Sequence, residues 1–151
     1  RDIAHALSLQ CRFNGHCRDF YCVADHSVRV SEIAGEDDAL WGLLHDAAEA
    51  YVADLPRPFK HGMDLYQQIE DNLLRVIVTH FGLGWPMPAP VREADEVMLA
   101  TEQRDLMAPP PEPWGIRAGP LPDTVVPLAA ADAERLFLQR FQQLTGRRLA
   151  E

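Results

Sequence analysis

The chain has 151 residues, 47% of them hydrophobic and 25% charged, which is the size and composition expected of one soluble globular domain. Its 14 basic and 23 acidic residues give a formal net charge of −9 at pH 7, and this charge argues against a surface that binds polynucleotides. No apolar run approaches the roughly 20 residues of a membrane span, so we expect a cytoplasmic protein with no membrane partner. We also expect the sequence, which starts with Arg1, to begin inside a longer gene product.

The three cysteines, Cys11, Cys17 and Cys22, match neither the spacing of a CxxC metal pair nor a disulfide framework. An odd number of cysteines without such a pattern is typical of a protein from a reducing compartment. We therefore expect three reduced thiols that pack as small hydrophobic side chains.

Helical periodicity dominates the sequence and alternating strand patterns are scarce, which predicts an all-α fold in a single domain over residues 1–151. The predicted helices cover residues 3–11, 23–34, 37–51, 64–81, 91–107 and 128–145. Turn residues separate them, among them the Asn14-Gly15 pair and Gly35. A Pro/Gly-rich loop over 108–122 is expected to be either a mobile surface segment or a lid, and the last helix is expected to pack on the bundle.

Two of these helices have apolar faces that are expected to lie in the core. In the helix over 37–51, the face consists of Leu40, Leu43, Leu44, Ala47, Ala48 and Tyr51. In the helix over 64–81, it consists of Leu65, Ile69, Leu73, Val76 and Ile77. The first of these helices must end before Pro56 and Pro58, because proline lacks a backbone donor and forces its neighbours into extended conformations.

Four titratable residues lie on or just after the helix over 37–51: His45, Asp46, Glu49 and Asp54. Side chains advance by about 100° per residue in an α-helix, so the first three share one edge of an otherwise apolar surface. Burying three such groups without partners would be costly. A divalent cation compensates them best, because it accepts carboxylate and neutral imidazole ligands directly.

Two further helices offer the ligands that complete such a site. His26 lies early in the predicted helix over 23–34, and Asp95 lies on the inward side of the helix over 91–107. Side chains from facing helices commonly build a metal site in the core of a bundle. The candidate ligands of one ion are therefore His26, His45, Asp46 and Asp95.

The order of these residues resembles the H...HD...D signature of the HD superfamily of metal-dependent phosphohydrolases. The segment HDAAEAYVADLPRPFK is similar to the bacterial 5′-deoxynucleotidase branch of that superfamily. The sequence pattern CRFNG...FYCVADHSV is similar to the small bacterial and phage phosphohydrolases of the superfamily, which include phage deoxyadenosine triphosphate triphosphohydrolases. The resemblance spans about residues 3–107.

The resemblance implies an HD-domain helical bundle with four metal ligands, His26, His45, Asp46 and Asp95. It also implies that Glu49 and Asp54 are catalytic carboxylates near the scissile phosphate. A bound divalent ion lowers the pKa of its water toward about 7 and polarises a phosphoryl oxygen. Cobalt, manganese, zinc and magnesium all remain candidates, because mixed His/Asp sites accept several divalent ions.

Substrate contacts follow from the same resemblance. It implies that Arg12 contacts phosphate and that Phe13, where relatives often carry tryptophan, packs near the sugar or base. Lys60, at the end of the proline-containing loop, is a second candidate for the phosphate. Glu102 lies on the same helix face as Asp95 and is expected to pair with a neighbouring cation.

Three functions are compatible with this pattern. The first is a 5′-deoxynucleotidase that converts a deoxynucleoside monophosphate to deoxynucleoside and phosphate. The second is a triphosphohydrolase that releases tripolyphosphate from a deoxynucleotide such as dATP, and the third is a catalytically inactive metal- or nucleotide-binding module. Intact Glu49 and Asp54 argue against the third. The apolar faces of the last helix are compatible with a homodimer.

Overall fold

The computed structural model describes residues 1–147, and within that range it contains helices and no β-strand. The helices are α1 (Asp2–Leu9), α2 (Val23–Ile33), α3 (Ala39–Leu44), α4 (Glu49–Val52), α5 (Arg57–Lys60), α6 (Asp64–His80), α7 (Ala89–Leu106) and α8 (Ala130–Thr145). The predicted all-α fold is confirmed. The last four residues of the predicted 1–151 domain lie outside the described residues.

Helix α2 is the centre of the bundle, since it packs against α1, α3, α7 and α8. Most of its side chains are buried, including the polar His26 and Ser27. The helix ends where the sequence predicts, because Gly35 follows it with a φ of +84°, a left-handed conformation that glycine adopts without steric cost.

Helices α2 and α3 approach each other closely at Gly42. A Cβ atom at this position would lie 3.0 Å from the Cα atom of Ser31 and 3.1 Å from the carbonyl oxygen of Val30. A side chain here would force the two backbones apart by a few tenths of an ångström, so glycine favours this backbone-to-backbone packing. The close approach brings the end of α3, and the residues after it, against the middle of α2.

The predicted continuous helix over 37–51 is wrong, because residues 45–48 form a turn between α3 and α4. In this turn the backbone N–H groups of Ala47 and Glu49 donate to carbonyls three residues earlier, which tightens the chain relative to an α-helix. The tightening rotates the residues that follow, and as a result Tyr51, which was expected in the core, is 55% exposed. Leu40, which precedes the turn, is half-buried rather than fully buried.

The predicted buried face of α6 is correct for Ile77, and Leu73 is half-buried against the core, but the other three residues are wrong. Leu65, Ile69 and Val76 are exposed, and the residues that reach the core are Leu74, Ile77 and Val78. Apolar residues occupy much of the circumference of this helix, so periodicity alone does not distinguish the two faces. Contact with the rest of the fold through the second half of α6 decides which face is buried.

Residues 107–129 contain no helix, as predicted for the Pro/Gly-rich loop. Side chains of α7 hold this segment: Arg104 donates to the carbonyls of Leu121 and Asp123, and Asp105 accepts from the backbone N–H of Val125. Helix α8 then packs on α1, α2 and α3. Among the described helices, none is both long enough and apolar enough to cross a membrane.

Candidate metal centre

Three separate elements bring the four predicted ligands together. His26 comes from α2, His45 and Asp46 from the turn before α4, and Asp95 from α7. The ligand atoms of His26, His45 and Asp95 all lie within 4.8 Å of one another. Asp46 Oδ2 lies 3.2 Å from His45 Nε2 and 3.7 Å from His26 Nε2. His26, His45 and Asp95 could hold a metal ion, and Asp46 lies at the edge of this group.

The orientation of both imidazoles fits a cation between them. His45 Nδ1 donates to the carbonyl oxygen of Gly42 at 2.7 Å, and His26 Nδ1 donates to Glu102 Oε1 at 2.6 Å. The two Nε2 atoms are then left facing each other at 3.2 Å. Both can be satisfied at this distance only by a positive species between them, either a proton on one ring or a metal ion. Fixing the remote ring nitrogen by a carbonyl or carboxylate is typical of metal-bound histidine.

The charges around the two aspartates favour their ionised forms. Burial alone would raise the pKa of Asp46, but His45, His26 and Arg12 hold it well below its usual range. Burial likewise opposes ionisation of Asp95, while the hydrogen bond and charge of His26 keep its pKa low. Both carboxylates are thus available as anionic ligands at neutral pH.

At His26, a proton and a metal ion compete for the same ring nitrogen, Nε2. Burial and the neighbouring Arg12 lower its pKa, but Glu102 and Asp95 outweigh them and raise it to about 9. The imidazole is therefore surrounded by negative charge that stabilises either a proton or a metal ion at Nε2. A set of nitrogen and oxygen donors such as this suits several divalent transition metals.

Glu102 organises the side of the centre that faces α2, and it is completely buried. Its carboxylate accepts hydrogen bonds from Tyr21 Oη at 2.8 Å, from His26 Nδ1, and from Arg12 Nη2 at 3.2 Å. Burial raises its pKa, but Arg12 and His26 more than offset this and keep the group ionised. The expected pairing with a cation is present, whereas its contact with a candidate ligand was not anticipated.

Arg12 lies at the inner edge of the centre and is buried. Its Nη1 atom is 3.4 Å from Asp46 Oδ2, and its Nε has no hydrogen-bond partner among the described residues. The turn that follows is strained, because Phe13 and Asn14 both have a φ of 54°. Such conformations cost about 1–3 kcal/mol each for residues other than glycine. The backbone N–H of Arg12 donates to the carbonyl of Tyr21, and this bond joins the two ends of the segment that contains the turn.

Glu49 is a further buried carboxylate, and it lines a recess together with His45 and Asp46. Its Oε1 accepts from Lys60 Nζ at 3.3 Å, and its Oε2 has no partner among the described residues. Burial, together with the charges of Asp46 and Asp54, raises its pKa well above the usual value. Lys60 also binds Glu70 at 2.8 Å.

A small recess of about 170 Å³ opens beside these groups. His45, Asp46, Glu49, Lys60, Glu70 and Asp71 supply its polar lining. Its volume is below the 300–1,000 Å³ that is usual for drug-sized ligands. Glu49, whose carboxylate has one unpartnered oxygen, therefore lines a space that suits a small polar group.

Asp54 follows a backbone outlier. Ala53 has φ 69° and ψ 156°, a region that residues other than glycine rarely adopt, and the turn ends α4. The backbone N–H of Asp54 donates to Gln10 Oε1, while Gln10 Nε2 donates to the carbonyl of Glu49. Burial raises the pKa of Asp54 although Arg12 opposes the shift. Gln10 thus ties the backbone at both Glu49 and Asp54 to the residue that follows α1.

Two further residues meet the site from outside. Arg57, which is mostly exposed, donates to Asp95 Oδ2 at 2.7 Å. Trp114 comes from the Pro/Gly-rich loop, and its ring lies 5.9 Å from that of Phe13, measured between centroids.

No metal role was expected for four other histidines, and all of them are exposed: His5, His16, His61 and His80.

Comparison with known proteins gives the chain a family. It is 41% identical over 148 residues to the uncharacterized protein YfdR of Escherichia coli K12, and the alignment covers 95% of the chain and 83% of that protein. The chain belongs to the YfdR family. An uncharacterized protein of Rhodobacter capsulatus is 37% identical over 103 residues, or 62% of the chain and 53% of that protein. No family model matches the sequence.

Sequence reasoning named nine candidate site residues and expected Glu102 to pair with a cation, but it missed the contact of Glu102 with His26 and the position of Trp114. Glu102 follows Asp95 by two helical turns, so its position on the inward face was visible in the sequence. Its role depends on Tyr21 and Arg12, which are distant in sequence. Trp114 gave no periodic signal at all, because it stands alone in an irregular loop.

Proposed function

We propose that this protein is a metal-dependent phosphohydrolase that acts on 2′-deoxynucleotides, with deoxynucleoside monophosphates as its first substrates. The observation that carries the proposal is the convergence of two imidazole Nε2 atoms and two carboxylates next to the buried Glu49. A cluster of carboxylates without imidazole nitrogens directed toward it would support only the binding of a structural ion.

His26, His45, Asp46 and Asp95 would hold the metal ion. When bound, a divalent ion supplies Lewis-acid polarisation of a phosphoryl oxygen and makes a nearby water molecule more acidic. The protein's contribution is to orient the imidazoles through Glu102 and Gly42, and to keep the two aspartates ionised.

Glu49 is the proposed general base. A proton acceptor works best when its pKa approaches the working pH, and burial beside Asp46 moves Glu49 in that direction. Its Oε2 has no hydrogen-bond partner within the described chain, and the residue is part of the lining of the recess. Asp54, with a pKa raised in the same sense, is placed to assist on the side of Arg12.

Arg12 and Lys60 are the proposed phosphate contacts. Arg12 keeps its charge, because Glu102 and Asp46 outweigh the effect of burial on its pKa, and its Nε–H lacks a partner among the described residues. A buried donor without a partner is unfavourable unless a ligand satisfies it. A phosphate oxygen accepts such a hydrogen bond, and charge-assisted bonds of this kind are strong.

The preference for a monophosphate rests on the surroundings of the recess. Glu70 and Asp71 line its far side, and Lys60 is shared between Glu49 and Glu70. Additional phosphates would meet carboxylates there rather than free cations. The preference for a deoxynucleotide rests on the sequence patterns around Arg12 and His45.

Product analysis tests the proposal. The protein is incubated with dAMP and dATP separately, each with Mn²⁺, Co²⁺ or Zn²⁺, and the products are separated by chromatography. Deoxyadenosine and phosphate from dAMP support the proposal. Tripolyphosphate from dATP, without hydrolysis of dAMP, would assign the triphosphohydrolase reaction instead, and no turnover with any metal would indicate a binding module.

Variants connect the activity to this site. Glu49→Gln keeps the side-chain shape, and we expect it to lower kcat by about 10²–10⁴ while metal binding is retained. Glu93→Gln, an exposed change on α7, serves as the control and should leave kcat unchanged. A Glu49→Gln variant with native kcat would remove Glu49 from the mechanism.

A further inference from the structure

We propose that Phe13 and Trp114 form an aromatic platform on which the base of the bound nucleotide stacks. The proposal rests on the proposed function for its phosphate end, and it adds Trp114 as a residue that determines nucleotide binding. It also assigns a role to the Pro/Gly-rich loop that carries Trp114.

The platform is joined to the metal centre through consecutive contacts. Arg12 Nη1 lies 3.4 Å from Asp46 Oδ2, and the guanidinium carbon of Arg12 lies 5.2 Å from the centroid of the Phe13 ring. The Trp114 ring follows at 5.9 Å, tilted by 44°. The aromatic pair therefore lies in direct succession to the guanidinium that is the proposed phosphate contact.

Both rings retain accessible surface. Trp114 is 41% exposed even though it packs against Phe13, and Phe13 is half-buried. A tryptophan placed only to anchor the loop would gain more by burying its faces. An accessible indole beside a phosphate contact is suited to a flat, weakly polar ring such as a nucleobase.

The backbone supports the same assignment. Phe13 holds its left-handed conformation at an energetic cost, and its ring is thereby directed over Arg12 and against Trp114. Strained residues of this kind cluster at ligand sites, where the surrounding structure holds them. Arg104 and Asp105 tie the segment after Trp114 to α7, which restricts the position of the loop.

Stacking predicts the pattern of ligand preference. Every base has an aromatic face, so the platform should accept all four, with purines bound more tightly because their faces are larger. Loss of one stacking partner should weaken binding of a nucleoside by about tenfold. Binding of 2-deoxyribose 5-phosphate, which has no base, should not change.

The first test measures binding without turnover. Deoxyadenosine is titrated calorimetrically into the native protein and into Trp114→Leu, Phe13→Leu and Trp85→Leu variants. Trp85 is the matched control, because it is 39% exposed and pairs with Trp41 at 6.3 Å and 42°. We expect about tenfold weaker binding in the first two variants and native affinity in the third. Native affinity in both Trp114→Leu and Phe13→Leu, or no binding of deoxyadenosine by the native protein, would overturn the platform.

The second test separates the platform from the hydrolase. Values of kcat/KM are compared for dAMP and for 2-deoxyribose 5-phosphate. The platform predicts that Trp114→Leu lowers the value for dAMP alone, through KM. Equal loss for both substrates would contradict the platform but leave the hydrolase standing. Weakened deoxyadenosine binding in a protein that hydrolyses neither substrate would support the platform and reject the hydrolase.

Discussion

His26 is the residue at which proton and metal compete most directly. Glu102 and Asp95 raise its pKa to about 9 in spite of burial, so in the absence of metal Nε2 is protonated at neutral pH. A metal ligand must be deprotonated, and metal binding therefore releases that proton. Below pH 9 the proton opposes the metal, and above pH 9 it no longer does.

We accordingly expect the apparent affinity for Mn²⁺ to rise by about tenfold per pH unit between pH 6.5 and 8.5, and to level off above 9. Calorimetric titration in buffers with different ionisation enthalpies should show release of about one proton at pH 7. An affinity that does not vary with pH over this range would contradict the role of His26 as a ligand.

Glu102 is a positioning residue whose removal should affect both stability and metal binding. Glu102→Gln removes the negative charge that His26 and Arg12 share while keeping the side-chain volume. Because the two cationic partners stay buried, we expect the free energy of unfolding to fall by about 3 kcal/mol. Metal affinity should fall by about 10–100-fold, the usual effect of changing the partner of a metal-bound histidine.

Urea unfolding and metal titration check these two effects. The same measurements on Glu93→Gln, an exposed glutamate of α7, should match the native protein. A Glu102→Gln variant with native stability and native metal affinity would show that the buried carboxylate does not organise the centre.

At the scale of elements, the packing of α2 on α3 depends on Gly42. The Cβ atom of Gly42→Ala would lie 3.0 Å from the Cα atom of Ser31, so the two helix backbones would have to move apart by a few tenths of an ångström. Overpacking of this kind costs about 1–3 kcal/mol. The gain in helix propensity offsets at most about 1 kcal/mol of this.

We therefore expect Gly42→Ala to lower the free energy of unfolding by about 1–2 kcal/mol, measured by urea denaturation. It should also weaken metal binding, because the Gly42 carbonyl orients His45. Gly119→Ala is the control, since a Cβ atom there meets no atom within 4 Å. If both variants unfold alike, the close approach of the two helices is not limiting.

The element boundaries show what local sequence determines. Helix α2 ends before Gly35 and α7 lies close to its predicted range, because turn residues and apolar spacing act within a few residues. The turn at residues 45–48 was not predictable in this way, since Ala47 and Ala48 are excellent helix formers. Tertiary contacts around the candidate metal centre override that propensity. The same holds for α6, whose buried face is chosen by contacts far away in the sequence.

The candidate site, too, was only partly predictable from the sequence. The HD pair and the order of its partners were visible in the sequence, because three helices of a bundle can converge on one ion. The network of Glu102 with Tyr21 was not visible, because it joins residues 81 positions apart. Similarly, nothing in the sequence near Trp114 indicates that it meets Phe13.

For the molecule as a whole, a bound metal ion would link three segments that lie far apart in the chain. His26, His45 and Asp95 belong to α2, the turn after α3, and α7, and the molecule carries a net charge of −9. An ion that binds the folded state and not the unfolded chain stabilises the fold by about 2.7 kcal/mol at a concentration of 100 times Kd. For a domain of this size that corresponds to a rise of about 5–10 °C in Tm.

We expect such a rise in Tm with Mn²⁺, Co²⁺ or Zn²⁺ in thermal unfolding. EDTA should reverse it, and it should be absent in the Asp95→Ala variant. Asp19→Ala, which removes an exposed carboxylate away from the centre, should keep the full rise. An equal rise in the Asp95→Ala variant would mean that the ion binds elsewhere on the acidic surface.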